Sequence, residues 1–121
     1  MGVYAGLTDC TDPVAVVEEQ DLEAADRTVL ALLRNKGIDP TRVTDAEGLE
    51  LLRDLAVADA TAGAARRLAV EGAGDSVMWS KHKFWTAHAI ALGARINRES
   101  LGLAAAGSGA SGYGSIPLGR G

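Results

Sequence analysis

Three stretches of the chain repeat apolar residues at the three- and four-residue spacing of an α-helix. In the first, Leu22, Ala25, Val29 and Leu32 form one stripe of an amphipathic helix running from about Glu18 to Lys36. Its opening turns hold Glu18, Glu19, Asp21 and Glu23, where the helix dipole favours negative charge. Its last turn holds Arg34 and Lys36 before Gly37, a left-handed C-terminal cap. A second helix is expected to open at the capping box Thr44-Asp45-Ala46-Glu47 and to run to Glu71, stopping at Gly72. Leu51, Leu55, Ala58, Ala62, Ala65 and Ala69 mark one of its faces. Leu49, Leu52, Ala56, Ala60 and Ala64 are apolar too. A helix apolar nearly all round is a buried one, so this segment reads as the central helix, with Leu52, Leu55, Ala58 and Ala62 in the core. The third helix follows Gly72-Ala73-Gly74, from about Val77 to Arg98, with Met78, Trp85, Ala89, Leu92 and Ile96 as its inner stripe.

Between and around these helices the signals are those of loops. Gly2, Gly6 and Asp12-Pro13 punctuate residues 1–17, which read as a loop with at most one turn, and Asp39-Pro40 marks the first connection. From Gly107 onward the composition is that of a linker. The pattern predicts an all-α fold, a small bundle of about three helices joined antiparallel by short connections. It places one helical domain at residues 1–101 and an extended Gly-rich C-terminal arm at 102–121.

Composition sharpens this in three ways. With 121 residues there is room for one domain, and its 22 alanines and 15 glycines against five aromatics imply a core of small and aliphatic side chains. The single cysteine, Cys10, excludes an internal disulfide and a cysteine-pair zinc site. No leader-like pattern opens the sequence, and the uncharged run Ser100–Gly119 is too rich in Gly and Ser for a good membrane helix. A small soluble protein of intracellular type, away from membranes, is therefore expected.

Charge is unevenly spread. Residues 1–75 carry 15 acids and 7 bases, a net −8, whereas residues 76–121 carry Glu99 against Lys81, Lys83, Arg95, Arg98 and Arg120, a net +4. One explanation is two solvated faces of different sign. The other is self-complementarity, an acidic front meeting the basic back of the next copy in a ring. On that reading Glu19, Glu23 and Asp26 oppose Lys81, Lys83, Arg95 and Arg98, with Trp79 as an apolar anchor. An overall charge of −4 disfavours nucleic-acid binding by net charge.

Catalytic patterns are lacking. His82 and His88, six apart, lie about 240° round a helix from each other and cannot share a metal from it. Asp54 and Asp59 fall in the central helix. A buried Asp59 would carry a raised pKa, or would pair with Arg66, Arg67 or a base on another helix. No Ser–His–Asp order, phosphate-cradling Gly loop or metal-ligand cluster is present, so no enzyme activity, metal or cofactor is expected. The segment Trp79…Lys81-His82-Lys83-Phe84-Trp85 has the palette of a nucleic-acid surface, yet helical spacing turns Trp85 inward and the lysines outward. Cys10, without an activating neighbour, reads as a small buried or half-buried residue. In the arm, seven of the last twenty residues are glycine, punctuated by Tyr113, Ile116, Pro117 and Leu118 as candidate docking anchors. Ile116 and Leu118, two apart, would share one face if the arm added as a strand to a partner's sheet.

One order of features is familiar as a whole. A short Tyr-containing lead (Tyr4-Ala5-Gly6-Leu7-Thr8-Asp9) precedes an acidic helix running from Ala25 through Gly37-Ile38-Asp39. A long Ala-rich helix, an aromatic and basic helix over Trp79–Arg98 and a Gly-rich arm come after it. Over roughly residues 4–100 this resembles the small head–tail connector, or adaptor, proteins of tailed bacteriophages. The resemblance implies a structural role in the virion neck, at the head–tail junction, after assembly in the host cytoplasm. It implies a homo-oligomeric ring matching the portal's twelvefold symmetry, binding the portal protein on one side and a downstream neck or tail protein on the other. DNA would pass through the ring without sequence-specific binding. The alternative is a small helical binding module, a regulator or antitoxin-like protein, whose mark would be a helix-turn-helix with a basic second helix.

Overall fold

The computed structural model describes residues 3–72 and 76–103, and among these every regular element is helical. Helix α1 spans Glu19–Asn35, α2 Ala46–Glu71 and α3 Ser76–Ala94. Single 3₁₀ turns lie at Leu7–Asp9 and Pro40–Arg42. Helix α2 packs against both α1 and α3, and those two also approach each other, a Cβ at Gly93 of α3 standing 3.5 Å from the Leu32 side chain of α1. The docking residues of the arm, Tyr113, Ile116, Pro117 and Leu118, lie outside the described residues.

Local chemistry explains each helix end. At the start of α1 the Glu18 N–H donates to the Asp21 carboxylate at 2.9 Å. Its far end is a Schellman motif: Gly37 sits at φ 69°, its N–H reaches the Arg34 carbonyl, and the Ile38 N–H reaches that of Leu33. The start of α2 differs from the expected capping box. Asp45, not Thr44, is the N-cap, and its carboxylate accepts from the Gly48 N–H at 3.2 Å. Asp caps as well as Thr, and starting one residue later still leaves Glu47 in the first turn to meet the dipole.

The core follows the stripes with two adjustments. Leu22, Ala25 and Val29 are buried as expected, but the α1 stripe closes on Leu33, which leaves Leu32 half-buried at the helix edge. On α2 Leu52, Leu55, Ala58 and Ala62 are all buried, whereas Leu51 is only partly so. Alanines at 56, 58, 60, 62, 64, 65 and 69 let neighbours approach this helix on more than one side.

Helix α3 ends at Ala94, four residues before the expected Arg98. The Asn97 and Ser100 side chains bond to each other's backbone N–H groups at 2.7 and 2.9 Å, offering the chain a turn in place of continued helix. Lys36 donates to the Ile96 carbonyl at 2.7 Å and fixes that turn to the end of α1. The chain then drives Ile96 and Leu101 into the core, both fully buried. Leu101 crosses α2 at Gly48, where a Cβ would stand 3.0 Å from the Leu101 Cα. Gly102, at φ 78°, lies against Asp45, and Leu103 packs partly buried on the core.

Candidate interaction surface

Residues 3–18 form a strap over all three helices, held by carboxylates. Asp26 of α1, buried, accepts the N–H groups of Val3 at 2.7 Å and Tyr4 at 3.3 Å. Burial and the nearby Asp26 charge push the Tyr4 hydroxyl above its usual pKa. Asp21, also buried, takes Arg67 of α2 at 2.9 Å while it caps α1. Arg67 reaches on to the Val16 carbonyl, its Nε buried without a partner.

Asp12 is the densest node. One of its oxygens accepts the Val14 and Ala15 N–H groups, both at 2.9 Å. The other accepts the Lys81 ammonium at 2.9 Å and the Trp85 indole N–H at 3.2 Å. Burial alone would raise the Asp12 pKa, but the Ala15 amide, Lys81, the Val14 amide and Trp85 together hold it far below the usual carboxylate range. In the sequence, Asp12-Pro13 reads only as loop punctuation. Its partners on α3, about seventy positions away, leave no local trace.

These bonds redistribute the residues that the charge pattern assigned to a subunit contact. Asp26 is turned inward and spent on the strap, because two N–H groups there need an acceptor. Lys81 is spent on Asp12. Glu19 and Glu23 remain exposed on the first turns of α1, as do Lys83 on α3 and Arg95 and Arg98 in the turn beyond it. The bases are thus not one stripe of the third helix. Trp79 stands 40% exposed with its ring edge-on to His82, whose Nδ1 lies 3.0 Å from the Ala62 carbonyl. His88 stacks on Phe84 and meets Trp85 edge-on. Cys10 is half-buried, and burial, then Asp9 and Asp21, push its thiol pKa up.

What the bases vacate is apolar. Only Met78, Leu92 and Gly93 of α3 are buried, while Trp79, Phe84 and Ile90 are exposed at 40%, 63% and 69%. Ala87, Ala91 and Ala94 are exposed as well, with Ile90 and Ala94 at the edge of the groove towards α1, and Lys83 is the one charge among them. The inner stripe Met78, Trp85, Ala89 and Leu92 rests on α2 as expected. Sequence reasoning overlooked a second stripe, Phe84, Ala87 and Ala91, that recurs at the same helical spacing on the opposite side. Several large apolar side chains left exposed on one helix are characteristic of a surface that another protein covers. Comparison with known proteins adds no guide to that partner. No family model, no curated protein and no solved structure matches this chain.

Asp59 occupies a different setting. It sits half-buried on α2, beneath a groove between α1 and α3. Burial pushes its carboxyl above the ordinary range, and the Thr28 hydroxyl offsets only part of that. Arg67, one of the bases that could have paired with it, is on Asp21 instead. Among the described residues no cation bonds to Asp59, no His, Cys, Asp and Glu cluster could hold a metal, and no helix is long and apolar enough to cross a membrane.

Proposed function

We propose that the chain is a structural subunit of a tailed-phage neck, an adaptor that joins portal to tail components in a ring and continues the DNA channel. The observation that carries this reading is the exposed apolar face of α3, centred on Phe84, Ala87 and Ala91. A largely apolar helix with one side on α2 and the other open suits a subunit that is finished by its neighbours. The resemblance supplies the setting, and the charge division supplies the rim. Glu19 and Glu23 of one copy face Lys83, Arg95 and Arg98 of the next, so that charge sets register while the apolar face sets affinity. An acidic front half would also suit a channel wall past which DNA slides without sticking.

The test is co-assembly. Electron microscopy of the chain mixed with the portal protein of the same virus is expected to show an added ring beneath the portal, lost on Phe84→Glu. Portal particles without added density, together with sequence-specific DNA binding by the chain alone, would favour the regulator instead.

A further inference from the structure

The groove between α1 and α3 has a volume of about 440 Å³, inside the roughly 300–1,000 Å³ range of pockets that hold ligands. Leu32, Leu55, Ala89 and Ile90 give it apolar walls, and Asp59 is its single carboxylate. It opens beside Lys36 and Ala94, where α1 and α3 end. The described chain leaves the domain at that same end, since Leu101 crosses the first turn of α2 at Gly48 and Gly102 lies against Asp45. The arm beyond residue 103 carries Ala104-Ala105-Ala106, the bulkier apolar run Ile116-Pro117-Leu118 and one charged side chain, Arg120.

We infer that the C-terminal arm returns to this groove on its own chain, with Ile116 and Leu118 on the apolar walls and the Arg120 guanidinium on Asp59. The two partners match in kind: an apolar trough whose one acid bonds no cation among the described residues, its one base, Lys36, being held on the Ile96 carbonyl, and an apolar tripeptide with one base shortly after it. The tether is ample. The twelve residues 104–115 span up to about 40 Å at roughly 3.3 Å each, while the groove covers the stretch of α1 from Thr28 to Lys36, about 12 Å at 1.5 Å per residue. Tethering gives the arm a local concentration on the order of millimolar, which favours its own groove over another copy's in dilute solution. Pro117 lowers the freedom lost on docking, and the half-buried setting of Asp59 strengthens an Asp59–Arg120 pair relative to one on open surface. The inference does not rest on the neck assignment, since a regulator with the same groove and arm would make the same contact.

Disulfide trapping in the full chain tests it, in a Cys10→Ser background. Ser115→Cys is paired either with Ala94→Cys at the groove mouth or with Ser80→Cys on the outer face of α3. The Ala94 pair is expected to close at least about tenfold faster than the Ser80 pair, within single chains. That advantage should vanish with Arg120→Glu, which lies outside the helices, and shrink with the conservative Asp59→Asn. Equal closure of the two pairs would overturn the inference. An advantage that survives Arg120→Glu would overturn it too, as would disulfides joining heavy and light chains in an isotope-mixed sample, which would put a second copy's arm in the groove.

Discussion

Helices α2 and α3 are both apolar around most of their circumference, yet they occupy opposite situations. Helix α2 buries eleven of its 26 residues because α1 and α3 cover it from two sides. Helix α3 buries three of 19, since α2 covers one side and nothing described covers the other. The side chains differ accordingly. The middle of α2 is Ala and Thr, small enough for close approach, whereas the open side of α3 carries Trp79, Phe84 and Ile90, large groups that bury much area when covered. A weakly amphipathic helix therefore has two explanations, burial within the fold and burial between molecules, and residue size tells them apart.

Substitutions should separate the two helices by size of effect. Leu52→Ala in α2, at a fully buried position, is expected to cost about 2–5 kcal/mol by chemical denaturation. Filling the small-residue seam with Ala58→Leu should cost about 1–3 kcal/mol, whereas Ala87→Leu on the open side of α3 should stay within about 0.5 kcal/mol. Equal costs at 58 and 87 would mean that the two faces are not packed differently.

A smaller contrast concerns two aspartates. Asp12→Asn removes the charge that Lys81 and Trp85 bond, and is expected to lower stability by about 1–3 kcal/mol at neutral pH. Because folding depresses the Asp12 pKa, its contribution is present above the unfolded carboxylate value near 3.9 and fades as pH falls below it. Asp59 runs the other way. Its folded pKa is raised, so its contribution is present below the unfolded value and is lost as pH rises through the folded one. In an Arg120→Glu background, which keeps the arm's base off this carboxylate, Asp59→Asn should therefore leave the melting temperature at pH 7 unchanged or higher. A thermal scan from pH 3 to pH 8 checks both signs, and a destabilising Asp59→Asn at pH 7 would point to a buried partner for that charge.

Much of this architecture is legible in the chain. Leu22 and Val29, Leu52 and Leu55, and Gly37 sit where local periodicity and capping put them, because such signals act over one or two turns. The missed features depend on distant partners. Asp12 reads as a loop residue until Lys81 and Trp85 reach it from α3, and Lys81 reads as solvent-facing until Asp12 claims it. Ile96 fits the α3 stripe and is buried, but from a turn that Asn97, Ser100 and Lys36 build. The open side of α3 is written in the sequence as a second stripe. The first stripe already accounts for the helix, so the second passes as redundancy.

The central claim is that the open side of α3 is an interface. Light scattering on the full chain over a hundredfold concentration range tests it, comparing wild type with the double variant Phe84→Glu, Ala87→Glu. Wild type is expected to rise in mass above the 12.5 kDa monomer, while the variant stays at 12.5 kDa with unchanged helical circular dichroism. A wild type that stays monomeric throughout, or a variant that assembles as well as wild type, would contradict it.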